Sequence, residues 1–295
     1  MEPARESVVG VRKPVVVEST TAAGDAPPKA AVAHNLPFDA YMRRGDCSKS
    51  TLWTLYTKSP AHSRVETETS LAMQLGTAIH CAVLEPEAFD GRFTRGPEDR
   101  RGNRWKEAVD EHGEGLLTAG DYDAALRVRD ALQRDALVRR LTAGDVWREA
   151  SGFWRDPETG LVVRCRPDAY HPGLRLLVDL KTTTDARANV WRKRVADFGY
   201  HAQEALYTDG WTACGMGVDA FVFIVVETGP PYAHAIFDLA PAAVAEGRAA
   251  MRQALATFAQ CKAEEIWPAY PSDVQSLDVP PYAYRLTQPE ITAND

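Results

Sequence analysis

The stretch from 147 to 181 constrains this chain most. It holds three short runs rich in Val, Leu and aromatic residues: 147–155 (WREASGFWR), 161–170 (LVVRCRPDAY) and 174–181 (LRLLVDLK). The separators 156–160 (DPETG) and 171–173 (HPG) have turn compositions. Short apolar runs bounded by Gly, Pro and Asp read as strands, so the spacing predicts a three-strand meander.

Helical patterns surround the meander. Ser48 or Ser50 is placed to cap a helix ending near Thr57, because a hydroxyl accepts a free N–H of the first turn. A second helix is expected over 70–84, with Leu71, Leu75, Ile79 and Val83 as its apolar stripe and Pro86 as its stop. Residues 91–106 read as a loop, and 120–140 as one helix carrying Leu126, Leu132, Leu137 and Val138. After the meander come a helical stretch over 186–214, a strand pair at 219–227 and 232–239, and an Ala-rich helix over 241–263. The order predicts one α/β or α+β domain with a mixed central sheet flanked by helices. Residues 1–36 read as a disordered tail, 37–268 as the domain, and 269–295 as an extended, proline-bearing tail.

Composition bounds the partners. With 295 residues and 45% hydrophobic content, one sizeable core is available. The net charge of -7 argues against a protein that coats nucleic acid indiscriminately, while permitting a local basic channel. The N-terminal residues lack a secretory pattern and no apolar run spans a bilayer, so a cytoplasmic protein without membrane contact is expected. Five scattered cysteines with no C-x-x-C pair suggest buried apolar residues rather than a zinc or disulfide framework.

Asp168 follows Arg166 and Pro167, and Asp179 stands two residues before Lys181. Strand alternation places Asp179 and Lys181 on one face and turns Leu180 the other way. Turn-linked strands would bring Asp168 beside Asp179. Close carboxylates stay ionised together only around a cation, and oxygen ligands suit Mg²⁺ or Mn²⁺. A lysine nearby can act on water or stabilise charge, which is the chemistry of phosphodiester hydrolysis. An isolated D-x-K triplet, however, is most often a surface ion pair. Thr182, Thr183 and Thr184 read as caps for the next helix. Basic residues gather at 92–106, 127–148 and 187–194, with Trp105 and Trp191 inside two of these clusters. They are candidates for a backbone-reading DNA path and base stacking.

Four longer segments, 48–64, 71–93, 149–170 and 178–210, together resemble the PD-(D/E)XK nuclease superfamily, and within it the RecE (exonuclease VIII)-like phage exodeoxyribonucleases. The resemblance implies a restriction-endonuclease-like core with a helical N-terminal portion. It implies Asp168, Asp179 and His80 as metal ligands, the last through Gly76-x-x-x-His80, and Lys181 as the catalytic lysine. Gln203 and Tyr207 match a Gln-x-x-x-Tyr motif beside the site, and Glu149 stands where many relatives carry an acid. Many relatives have Glu where this chain has Asp179. The implied activity is Mg²⁺-dependent digestion of linear double-stranded DNA from its ends, by a ring-like homo-oligomer of bacterial or phage origin, supplying single strands to an annealing partner. The alternatives are a RecB-like or CRISPR-adaptation type endonuclease, and a catalytically degenerate DNA-binding module.

Overall fold

The structure, a computed structural model, describes residues 16–17, 30–66 and 70–284. The first half runs β1 (Val16–Val17), β2 (Ala30–Ala33), α1 (Phe38–Met42), β3 (Cys47–Ser48), α2 (Lys49–Thr57), α3 (Leu71–Leu84), α4 (Pro86–Arg92), β4 (Thr94–Arg95), α5 (Gly102–His112), β5 (Leu116–Leu117), α6 (Ala119–Arg134) and α7 (Ala136–Thr142). The second half holds β6 (Trp147–Arg148), β7 (Ser151–Arg155), β8 (Val162–Cys165), β9 (Ala169–His171), β10 (Leu176–Thr183), α8 (Ala188–Phe198), α9 (Tyr200–Ala213), β11 (Ala220–Glu227), β12 (His234–Phe237), α10 (Pro241–Glu264) and α11 (Pro281–Tyr284).

Two mixed five-stranded sheets result, ordered β1-β2-β7-β8-β3 and β12-β11-β10-β9-β6. The expected α/β class and mixed sheet are present, but the meander is built differently. One hairpin passes through both sheets. Gly152 pairs with Cys165 in the first and Arg148 with Ala169 in the second, so stepping from one pair to the other keeps a single register. The ladder breaks between them, where Pro167 has no N–H to donate and Glu149 holds a left-handed φ of 49°. The hairpin bends there and each strand changes sheet. A residue-by-residue pattern shows the two strands but not the break.

β10 pairs parallel with β11 and antiparallel with β9, and both its faces are covered. Leu177 belongs to the core shared with Trp211, Phe223 and Phe258, while Val178 and Leu180 belong to the core shared with Ile79, Ala82 and Val128. Burial on both faces explains why this strand reads as a continuous apolar run.

Several local expectations hold. Ser48 caps α2 by accepting from Thr51 N–H, and Ser70 caps α3 by accepting from Met73 N–H. All five cysteines are free and buried. Others need correction. On α3 the stripe is borne out at Ile79, which is buried, and at Leu75 and Val83, which pack against the same core, but Leu71 is exposed and Ala78, Cys81, Ala82 and Leu84 widen the buried face. Small residues let this helix approach the sheet closely; a Cβ at Gly76 would touch Thr182 Oγ1 at 3.6 Å. Pro86 not only follows α3 but starts α4, at a first-turn position where its missing N–H costs nothing. The 91–106 loop contains β4 and the start of α5, a helix with no buried residue and so no apolar stripe to announce it. The 120–140 helix is two, divided at Asp135, whose carboxylate accepts from Leu137 and Val138 N–H. Within the stretch 1–36 expected to be a disordered tail, β2 pairs with β7 and buries Ala31, Val32 and Ala33. Of 1–29 the described residues include β1 alone, paired with β2, and the rest of the tail expectation lies outside the described residues. At the other end, 269–295 is free of strands as far as Tyr284 but includes the short α11.

The 186–214 stretch divides at Gly199, with φ 64°. A Cβ there would lie 2.4 Å from Trp53 Cδ2 and Cε2. Gly199→Ala combines a left-handed side-chain penalty with overpacking, and is expected to cost about 3 kcal/mol in urea unfolding. A variant as stable as the wild type would show that neither constraint operates.

Candidate active site

Three carboxylates converge because three strand segments are in register. β9 and β10 pair Ala169 with Val178, so the next step sets Asp168 across from Asp179. The bent hairpin sets Glu149 across from Asp168, and Glu149 N–H donates to Asp168 carbonyl at 3.1 Å. As expected from strand alternation, Lys181 shares the face of Asp179 while Leu180 is buried on the other side.

The bend also leaves Leu180 N–H without a strand partner. Asp168 Oδ2 fills that role, accepting from it at 2.6 Å. Asp168 Oδ1 lies 3.4 Å from His80 Nδ1, brought in by α3. His80, Glu149 and Asp168 each offer a donor atom within 4.8 Å of the others. Asp179 is turned to the neighbouring helix: its Oδ1 accepts from Gln203 Nε2 at 2.5 Å, and its Oδ2 pairs with the Lys181 ammonium. That Oδ2 is buried and accepts no aligned hydrogen bond.

The electrostatics follow from crowding. Burial, reinforced by the Asp168 charge, pushes Glu149 up to about 7. Burial also raises Asp179, against the partial relief from Lys181. For His80, burial favours the neutral ring, but the Asp168 carboxylate outweighs it and the net direction is up. Asp168 moves the opposite way: burial is overcome by His80, Lys181 and the Leu180 N–H, and its carboxyl is held below the usual range. Lys181 is raised, because Asp179 and Asp168 outweigh its desolvation. An excess of carboxylate over cationic partners, with one imidazole beside it, is the donor chemistry of a hard divalent-cation site.

Of the residues singled out in the sequence, His80, Glu149, Asp168, Asp179, Lys181 and Gln203 therefore meet in one place. The close trio includes Glu149 and not Asp179. Tyr207, one turn beyond Gln203, packs against the larger core; burial holds its hydroxyl well above the ordinary range, and Asp179 and Asp168 are among the charges it senses.

Two residues near this centre carried no sequence signal. Tyr200 lies under Lys181, with Nζ 5.0 Å from its ring centroid. Lys49 Nζ donates to Phe198 carbonyl and lies 5.7 Å from the same ring. Burial, then the nearby Lys181, lowers its pKa to about 7. Its distance in sequence from 198–200 hides the contact.

The basic clusters divide. Arg92 binds Glu85, Arg95 binds Asp123, and Arg129 binds Asp130, so much of that charge is answered locally. Arg192 and Lys193 on α8 are exposed. Trp191 is not available for stacking on bases: it is 2% exposed and stacked between Tyr200 and Phe237. Trp105 is half-buried beside Arg100. The threonines after Lys181 do not cap α8, whose N-cap is Arg187; Thr183 Oγ1 instead accepts from Asp185 N–H.

In a crystal structure, a Eubacterium rectale protein named "Putative exonuclease" shares the fold at a TM-score of 0.56 and 18% identity, covering 81% of this chain and 92% of that one. A phage related exonuclease from Haemophilus somnus 129PT covers 75% of this chain and 96% of its own at 13% identity, with a TM-score of 0.34. No curated protein matches. Among the described residues, no helix is long and apolar enough to cross a membrane. The model of the PDDEXK-like domain of unknown function (DUF3799) matches residues 54–279, which include His80, Glu149, Asp168, Asp179, Lys181 and Gln203, and the chain belongs to that family.

Proposed function

We propose that the protein is a divalent-cation-dependent deoxyribonuclease that hydrolyses phosphodiester bonds at the ends of linear duplex DNA. The observation that carries this reading is the cross-strand row Glu149, Asp168, Asp179, flanked by His80 and Lys181. His80, Glu149 and Asp168 would hold the cation, with Asp179 beside them on the neighbouring strand and paired to Lys181. When bound, Mg²⁺ or Mn²⁺ supplies Lewis acidity and an activated water.

The chain's own groups do the rest. Asp168 fixes its carboxylate by binding Leu180 N–H, and thereby holds His80 in place. Gln203 fixes the Asp179 carboxylate, which in turn holds Lys181. Because its pKa is raised, Lys181 remains an ammonium at neutral pH. It is therefore suited to stabilising charge that develops on the phosphoryl oxygens rather than to removing a proton. Tyr207 packs behind this group, and exposed Arg192 and Lys193 are offered to the DNA backbone.

The exonuclease assignment, the digestion of one strand for an annealing partner and the ring-like homo-oligomer rest on the RecE-like resemblance, as do the boundaries of the 37–268 domain, extended here to include β2. The deciding assay incubates linear and covalently closed circular duplex DNA with Mg²⁺. The linear form is expected to disappear while the circle persists. Cleavage of the circle would assign an endonuclease instead. Salt-sensitive binding without cleavage in either Mg²⁺ or Mn²⁺ would assign a degenerate binding module.

A further inference from the structure

The bend in the hairpin opens a second feature beside the carboxylate row. A cavity of about 590 Å³ is lined by Glu149 on one wall and by Arg92, Arg148, Arg166 and Phe38 around it. Its volume falls within the usual range of small-molecule sites, about 300–1,000 Å³. Arg92 is neutralised by Glu85 at 2.5 Å. The other two arginines are held by neutral groups. Arg148 Nη2 donates to Thr142 carbonyl at 2.7 Å, and its buried Nε has no hydrogen-bond partner. Arg166 Nε donates to Ser151 Oγ at 2.8 Å and Nη2 to Leu36 carbonyl at 2.8 Å. Its guanidinium stacks on Tyr41, 4.3 Å from the ring centroid, and lies 5.8 Å from the ring centroid of Phe38. A guanidinium fixed by carbonyl and hydroxyl oxygens keeps its charge for an incoming anion, and its planar fork matches a phosphate. Phe38 is 62% exposed and offers an aromatic face at the rim.

We propose that this cavity is a mononucleotide subsite, in which Arg148 and Arg166 bind a phosphate and Phe38 stacks on the base of the terminal nucleotide of the strand being cut. The proposal rests on the nuclease reading and gives it a substrate requirement. An enzyme with a nucleotide-sized cavity against its cleavage centre engages a chain end more readily than the middle of a duplex.

The test is calorimetric titration of the full chain with 2′-deoxyadenosine 5′-monophosphate in EDTA, so that no cation is needed. Wild type is expected to bind it at least about tenfold more tightly than inorganic phosphate, the difference being base stacking. Arg148→Gln and Phe38→Ala are each expected to weaken binding about tenfold. Phe38 is exposed, so its substitution tests the subsite without threatening the fold. The same nucleotide should raise KM for linear duplex and leave kcat unchanged. Absence of binding, equal affinity for inorganic phosphate, or binding unaffected by both substitutions would overturn the subsite. Inhibition that lowers kcat alone would overturn its assignment to the chain end. Binding in EDTA is independent of cleavage, so an inactive protein that still binds the nucleotide separates failure of the nuclease reading from failure of this one.

Discussion

Lys181→Ala is expected to lose cleavage of end-labelled linear duplex by about 10²–10³-fold or more while DNA binding in EDTA stays within a factor of about two. The expectation follows from the position of the ammonium. It is held against Asp179 on a strand buried on both faces, over the ring of Tyr200. Its charge is maintained there by two carboxylates, so its contribution belongs to the developing charge of the reaction and not to ground-state capture of DNA. Removing it also leaves Asp179 buried with Gln203 alone. That raises the carboxyl further and can loosen the strand, so thermal unfolding of the variant must be measured alongside. A folded variant that cleaves at the wild-type rate would remove Lys181 from the mechanism.

Asp168→Asn is expected to abolish the cation response. In the wild type, Mg²⁺ or Mn²⁺ should raise the midpoint of thermal unfolding, because a ligand that binds only the folded state stabilises it. The asparagine can still accept from Leu180 N–H, so the strand junction survives while the charge that anchors His80 is lost. The same site predicts a pH dependence with a definite sign. Glu149 has a pKa raised to about 7, so below that pH a proton occupies one of the three donors. His80, also raised, adds a second competing proton in the same direction. Cation affinity should be full above about pH 7 and fall at least about tenfold per pH unit below it. Glu149→Gln should bind more weakly at high pH and with a shallower slope. Unchanged metal stabilisation in Asp168→Asn, or affinity that rises on acidification, would sink the assignment of these donors.

At Glu149 backbone strain falls within the candidate metal-binding trio. A non-glycine residue in the left-handed region costs of order 1–3 kcal/mol and persists only where its surroundings demand it. Here the demand comes from a hairpin that must leave one sheet and enter the next. The same bend that strains Glu149 delays the start of β9 to the residue after Asp168, leaves Leu180 N–H to a side chain, and adjoins the arginine-lined cavity. A residue that reads in the sequence as an acid near a strand start is thus part of the donor trio.

How much was legible varies by element for physical reasons. Helix caps are local: Ser48 and Ser70 reach amides three residues on, and the Ser48 cap is readable from spacing. Strand alternation is local too, and it put Asp179 and Lys181 on one face and Leu180 on the other before any coordinates. The expectations that failed needed contacts from elsewhere. Trp191 looked like a stacking platform because its neighbours are basic, yet Tyr200 and Phe237 enclose it. Ala30–Ala33 had no periodicity because both its faces are covered. Lys49 reached the centre only through the end of α8, 149 residues away.

Residue types and short-range spacing were enough to determine the meander strands, the α2 cap, and Asp168, Asp179 and Lys181 as candidates, since each depends on hydrogen bonds and side-chain direction within a few residues. The choice of Glu149 over Asp179 as the third member of the close trio, and the direction in which each group's pKa moved, belonged to the folded chain alone. Those depend on the register between strands and on how much water and charge surround each group, and both arise only when distant segments pack together.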